Sequence, residues 1–174
     1  MSKVINYFLK QERIKRDIQY HKKAINISIF GSFEKSKIDI LIQLRDFLIE
    51  NGYRARISRD LERQFRRRKD ESDDAYNVRM SDKLIEISHI YIFIFFYEQN
   101  GEHNLNQSAV IESYKVGDQE ILFLFENGSR QQQKSIFQGD IDRTLNWESF
   151  NWKNIGDIRR RSIMYCLEKA KKFY

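Results

Sequence analysis

His89-Ile-Tyr-Ile-Phe-Ile-Phe-Phe-Tyr97 is the stretch that decides the fold of this chain. Residues 90–97 form an unbroken apolar and aromatic run that is too short for a typical helix and has polar residues on both sides. Such a run is typical of a strand that is buried on both faces, as a central parallel strand is. A turn over residues 98–101 and a helix beginning near residue 106 are predicted to follow it. In an open α/β sheet, the loop after a central strand is where ligands bind.

The segments before this strand alternate between strand and helix patterns. Residues 25–30 are rich in β-branched side chains and end at Gly31, which permits a sharp exit from a first strand. Residues 36–51 have the apolar spacing of a helix, and Gly52 stands where a left-handed C-terminal cap is favoured. Residues 53–58 then return as a strand. This strand–helix–strand unit is typical of a parallel sheet.

The second half of the chain continues the alternation. The predicted elements are a helix over residues 76–88, the central strand, a helix over residues 108–116, a fourth strand over residues 120–125, an edge strand over residues 145–150 and a last helix over residues 155–173. Asp73 or Asp74 is the predicted N-cap of the first of these helices. The sequence therefore predicts a three-layer α/β fold with four or five parallel strands in the flavodoxin-like order 2-1-3-4-5.

Two segments lie outside this alternation. Residues 1–24 mix apolar and basic side chains as an amphipathic helix, and we expect it to pack on the sheet or on a second copy of the chain. Residues 25–174 would then form the single α/β domain. Residues 59–75 carry twelve charged side chains, which predicts a mobile loop or a solvated helix. Because this segment follows a strand end, it is also a candidate lid.

Composition restricts the class of protein and its partners. With 41% apolar and 32% charged residues, the chain is predicted to be a globular, cytoplasmic protein with no membrane partner. The single cysteine excludes an internal disulfide, and no metal site or cofactor is predicted from the histidine spacing. The net charge of +6 makes anionic partners plausible. Nucleic acid is one such partner, through residues 66–69 and 159–161, although no binding motif favours it.

The predicted strand order places a ligand crevice between the first and the central strand, where the order reverses. Gly31, Ser32 and Phe33 would line one side of the crevice, and Tyr97 would line the other. Backbone N–H groups after the first strand can bind an anion. Phe33 and Tyr97 could stack on a base. No phosphate-loop or dinucleotide-binding glycine motif is present.

Charged side chains complete this candidate site. Arg56, Arg59 and Arg79 could pair with phosphate. Glu112 lies one turn into the helix predicted after the central strand, where its carboxylate could act on the anomeric carbon of a sugar. The alternative interpretation of Glu112 is a solvent-facing helical glutamate.

Four sequence patterns together resemble a known superfamily. They are Ile27-Ser-Ile-Phe-Gly-Ser32, Leu48-Ile-Glu-Asn-Gly-Tyr53, Ser81-Asp-Lys-Leu-Ile-Glu-Ile-Ser88 leading into the central strand, and Ser108-Ala-Val-Ile-Glu112. This set is similar to the nucleoside 2-deoxyribosyltransferase-like and TIR-like superfamily. The resemblance implies that Glu112 attacks or stabilises the ribosyl carbon while an N-glycosidic bond breaks. Asp82 or Arg79 could orient the substrate, and Ser108, which stands where TIR domains often carry an aromatic residue, is a further candidate for substrate binding.

Three functions remain open at this point. The favoured one is cleavage or transfer at the N-glycosidic bond of a nucleoside, a nucleotide or an NAD-like dinucleotide. The second is a non-catalytic nucleotide-binding or signalling module of the same fold, which would self-associate through the N-terminal helix. The third is a basic protein that binds nucleic acid.

Overall fold

Five parallel strands form one sheet in the part of the chain that this computed structural model describes, residues 2–97, 120–132 and 147–173. Side chains are described from residue 9 onward, except at residues 131 and 132. The strands are β1 (Asn26–Phe30), β2 (Arg54–Arg56), β3 (Ile90–Phe95), β4 (Glu120–Glu126) and β5 (Trp147–Trp152). Their order is β2-β1-β3-β4-β5, and all four neighbouring pairs are parallel. The predicted fold class and strand order are confirmed.

Helices cover both faces of the sheet. The described ones are α1 (Ser2–Ala24), α2 (Ile38–Glu50), α3 (Asp73–Ile87), the short α4 (Ser129–Gln132) and α5 (Ile155–Ala170). The chain moves from β1 to one side through α2 and back past β1 to the other side through α3. Right-handed crossovers in opposite directions place these two helices on opposite faces. The helix predicted over residues 108–116 lies outside the described residues.

The central strand β3 is buried over its whole length, as its composition predicts. Ile90, Ile92 and Ile94 belong to the core cluster that α2 and α5 cover. Tyr91, Phe93 and Phe95 belong to the cluster that α3 covers. Alternate side chains of a strand point to opposite faces, so one apolar run supplies both halves of the core.

Two predicted boundaries are wrong for local reasons. The N-cap of α3 is Ser72 rather than Asp73 or Asp74, because the extended Ser72 accepts the N–H of Ala75 with its Oγ at 3.2 Å. Both aspartates instead lie in the first helical turn, where carboxylates complement the helix dipole. The edge strand also ends later than predicted, at Trp152.

The last residue of the edge strand explains its extension. Trp152 is only 3% exposed and packs edge-on against Phe96, with ring centroids 5.5 Å apart. The residue before it, Asn151, is polar and exposed, so the apolar pattern of the sequence stops at residue 150 although the strand continues. Of the helices that the structure describes, none is long and apolar enough to cross a membrane.

Candidate functional site

The strand order reverses between β1 and β3, so their carboxyl ends border the crevice in which open α/β sheets bind ligands. Phe30, the last residue of β1, pairs with Phe93, and β3 continues for two residues beyond that pair. The segment that follows β1 therefore lies beside the last two residues of β3. Gly31, Ser32 and Phe33 leave the sheet at this edge, as does Tyr97 after β3.

Gly31 packs closely against α2, and its backbone does not use the left-handed conformation that glycine permits. Its φ is not positive, unlike those of Gly52 and Gly128. A Cβ on Gly31 would lie 2.8 Å from Cδ1 and 3.1 Å from Cδ2 of Leu41. Leu41 belongs to α2 and is fully buried. Glycine therefore lets α2 pack directly against the end of β1.

Ser32 and Lys37 shape the entry into α2. The Oγ of Ser32 accepts the N–H of Glu34 at 3.3 Å and so supports the turn after β1. Lys37 precedes the first residue of α2, forms an ion pair with Glu34 at 2.9 Å, and places its Nζ 5.7 Å from the ring centroid of Phe96. Sequence reasoning missed Lys37, because only the fold brings it to the end of β3.

A cation and an aromatic ring join the ends of β1 and β2. The guanidinium of Arg59 lies 5.6 Å from the ring centroid of Phe33, which is 38% exposed. A guanidinium over an aromatic face is attracted by the electrons of the ring. Arg56 ends β2, is half-buried, and forms no ion pair with any carboxylate in the described part of the chain. Both arginines therefore have hydrogen-bond donors available at this edge.

Tyr97 is tied to the end of β4. Its N–H donates to Oε2 of Glu126 at 2.7 Å, and its half-exposed ring lies against Gly128, where a Cβ would come within 3.3 Å. The buried Oγ of Ser129 donates to the carbonyl oxygen of Phe95 at 3.5 Å. These bonds fix the Tyr97 ring on the β4 side of β3.

Arg79 has a different environment from the one that the sequence predicts. Its Nε and Nη2 donate to Oε1 and Oε2 of Glu71, each at 2.7 Å, and its Nη2 also donates to the carbonyl oxygen of Arg66 at 3.1 Å. The hydrogen bonds from Arg79 and from the N–H of Arg68 lower the pKa of Glu71 to about 2. Asp82 is exposed on α3 and lies three residues beyond Arg79, nearer to the edge of the sheet where the strands begin. Arg79 thus binds residues 62–72 in this structure.

Residues 62–72 form a strap against α3. A 3-10 turn at Ser58–Leu61 precedes it, and the Tyr76 hydroxyl donates to the carbonyl oxygen of Phe65 at 3.2 Å. Arg67 donates to the carbonyl oxygen of Glu71 at 2.8 Å and forms an ion pair with Asp73. These residues contain no helix, so the predicted solvated helix is wrong for them; two of their charges, Arg67 and Glu71, pair with Asp73 and Arg79 of α3. The mobile loop stays a prediction.

Glu112 and Ser108, the remaining predicted site residues, lie outside the described residues. Beside the end of β1, the described residues place a turn, the exposed ring of Phe33 and two cations, Lys37 before α2 and Arg59 after β2, whereas the Tyr97 ring lies on the β4 side of β3. These groups can bind an anion and stack on a planar ring. No protein-family model matches this chain, and a search of curated proteins finds no match either.

Proposed function

We propose that this protein binds a nucleoside, a nucleotide or an NAD-like dinucleotide in the crevice between β1 and β3, and that it breaks the N-glycosidic bond. The observation that carries the proposal is the pairing of Arg59 with the exposed Phe33 ring at the carboxyl edge. Phosphate is recognised by guanidinium donors, and a base is recognised by stacking on aromatic rings. The superfamily resemblance of the sequence supports the same ligand class.

The proposed chemistry uses the carboxylate of Glu112. In the transition state the bond from C1′ to the base nitrogen breaks, and positive charge develops on the sugar. The carboxylate either attacks C1′ to form a glycosyl-enzyme intermediate or stabilises that charge electrostatically. The base leaves with the bonding electrons, and water or another acceptor completes the reaction at C1′.

The decisive experiment replaces this carboxylate. A panel of nucleosides, nucleotides and NAD is incubated with the protein, and free base or nicotinamide is measured by chromatography. We expect Glu112→Gln to lose turnover while it still binds the ligand. The matched control is Glu86→Gln on α3, whose exposed carboxylate pairs with Lys83 at 2.5 Å. Unchanged turnover in Glu112→Gln would remove the mechanism, and ligand-induced thermal stabilisation without any product would favour the non-catalytic module.

A second pair of variants locates the ligand. We expect Arg59→Ala to weaken binding of a phosphorylated ligand about tenfold, because a charged hydrogen bond contributes about 1.5 kcal/mol or more. The parent nucleoside should be affected much less. Arg54→Ala is the control, since Arg54 is an exposed arginine at the other end of β2. Equal effects of the two substitutions on nucleotide affinity would place the ligand elsewhere.

A further inference from the structure

The excess positive charge of the chain is concentrated in α1. Residues 2–24 contain seven Lys or Arg and two Asp or Glu, a net charge of +5 against +6 for the whole chain. The rest of the protein is therefore close to electrically neutral. Any attraction of this protein to a polyanion originates largely in this helix.

Of the two basic clusters of the globular domain, the one at residues 159–161 is committed to internal contacts. In the cluster at residues 159–161, Arg159 packs on Phe47 with 5.6 Å to the ring centroid, and Arg161 packs on Phe150 with 4.4 Å. Arg160 pairs with Asp157 at 2.8 Å. In the other cluster, Arg67 pairs with Asp73. The cluster at residues 159–161 is consequently a weaker candidate for a polyanion contact than its sequence indicates, whereas all four residues of the cluster at 66–69 are exposed.

One side of α1 faces the domain. Lys22 donates to the carbonyl oxygen of Asn51 at 3.4 Å, and its Nζ lies 5.3 Å from the ring centroid of Tyr53. Gln11 and His21, on the same side of the helix, are half-buried. This inner face fixes the helix at the turn between α2 and β2.

From residue 9 onward, the opposite side of α1 is exposed and carries a regular stripe. It consists of Leu9, Arg13, Arg16, Tyr20 and Lys23, all exposed. At about 100° per residue these five side chains fall within about 80° of one another, and Arg13 and Lys23 lie about 15 Å apart along the axis. The stripe contains no acidic side chain. The Tyr20 ring, between two of the cations, is 75% exposed.

We propose that this outer face of α1 binds single-stranded nucleic acid. The three cations would meet successive phosphates, and the Tyr20 ring would stack on an unpaired base. Proteins that bind single strands combine these two contacts, because every base has a π face and every nucleotide a phosphate. Duplexes keep their bases stacked inside, so they offer no exposed base on which Tyr20 could stack.

Two other occupants fit the stripe less well. An interfacial membrane helix needs an apolar face that enters the lipid, whereas cations hold three of the five positions here. A second copy of α1 would bring like charges together, with no acidic residue on the stripe to compensate them. A single strand satisfies both the charge and the exposed ring.

The test measures the fluorescence anisotropy of labelled oligothymidylate and oligouridylate with the full chain. If three phosphates are engaged, affinity should fall roughly 20-fold between about 50 and about 200 mM salt. Tyr20→Ala should weaken binding about tenfold, and Tyr20→Phe should retain it. The triple variant R13Q/R16Q/K23Q should lose most of the affinity and of the salt dependence. Its substitutions preserve helix propensity, which circular dichroism checks.

The matched control removes the same charge elsewhere. Lys69, Lys153 and Lys171 are exposed and lie outside α1, so K69Q/K153Q/K171Q should bind like the wild type. Equal weakening by the two triple variants would overturn the proposal in favour of a diffuse charge effect. Equal or tighter binding to a duplex of the same sequence would also overturn it. A clear preference of the protein for vesicles containing phosphatidylserine over oligonucleotides would overturn it as well. The proposal would also fail if the triple variant R13Q/R16Q/K23Q lost self-association but bound oligonucleotides like the wild type.

Discussion

Gly31→Ala tests whether close packing explains the glycine at the candidate site. The backbone of Gly31 is not in the left-handed region, so alanine meets no conformational barrier. A methyl group there would nevertheless lie 2.8 Å from Cδ1 of Leu41, a side chain that is fully buried. Overpacking of this kind costs about 1–3 kcal/mol. We expect a loss of unfolding free energy in that range.

A double-mutant cycle with Leu41→Ala isolates the clash. Leu41→Ala alone should cost about 2–5 kcal/mol, because it removes buried methyl groups and leaves a cavity. In that background the methyl group at position 31 meets open space. Gly31→Ala should then be neutral, or should stabilise by about 0.4–1 kcal/mol through the lower entropy of the unfolded chain. The double variant should therefore be more stable than the sum of the single losses by about 1–4 kcal/mol.

Urea unfolding followed by tryptophan fluorescence measures the four free energies of the cycle. Gly52→Ala is the control substitution, since Gly52 has a φ of +93° and no contact with Leu41. It should destabilise through backbone strain of about 1–2 kcal/mol, to the same extent in both backgrounds. If Gly31→Ala and Leu41→Ala prove additive within about 0.5 kcal/mol, the packing explanation of Gly31 is refuted.

Two further predictions concern charged groups away from the crevice. The lowered pKa of Glu71, about 2 against an ordinary 4.5, means that its contribution to stability is complete above pH 4.5 and is lost as the pH falls toward 2. Glu71→Gln should remove that pH dependence of stability, and it should accelerate tryptic cleavage within residues 66–69. The control Glu62→Gln, at an exposed position, should have neither effect. Glu120 is almost fully buried and is paired with Lys172. In urea unfolding, Glu120→Gln should lower the free energy of unfolding by about 1–3 kcal/mol. Lys172→Gln, at a half-exposed position, should lower it by less than about 1 kcal/mol. Equal losses for the two variants would contradict this view of the pair.

The sheet was predictable because its signals are local and redundant. The apolar run of β3 indicates burial on both faces, and the strand–helix–strand unit before it requires parallel neighbours. These two constraints leave few strand orders, and the observed one is among them. Boundaries were less predictable, because a cap such as Ser72 competes with adjacent aspartates of similar capping strength.

The candidate site was predictable only in its location. The ends of β1 and β3 follow from strand order alone, so Gly31 and Tyr97 could be placed at one edge. Side-chain partners depend on the path of the intervening chain. The bond between Arg79 and Glu71 exists because the strap folds back on α3, and no periodic pattern encodes that return.

Arg79 and Arg59 differ in the contacts that each would have to give up in order to bind a phosphate. Arg79 already donates two hydrogen bonds to Glu71, so binding a phosphate would break them and release the strap. Arg59 faces only an aromatic ring among the described residues, and a guanidinium stacked on a ring keeps its in-plane donors available. Anion recognition at the crevice is therefore expected to depend on Arg59, while Arg79 holds the strap against α3 through Glu71.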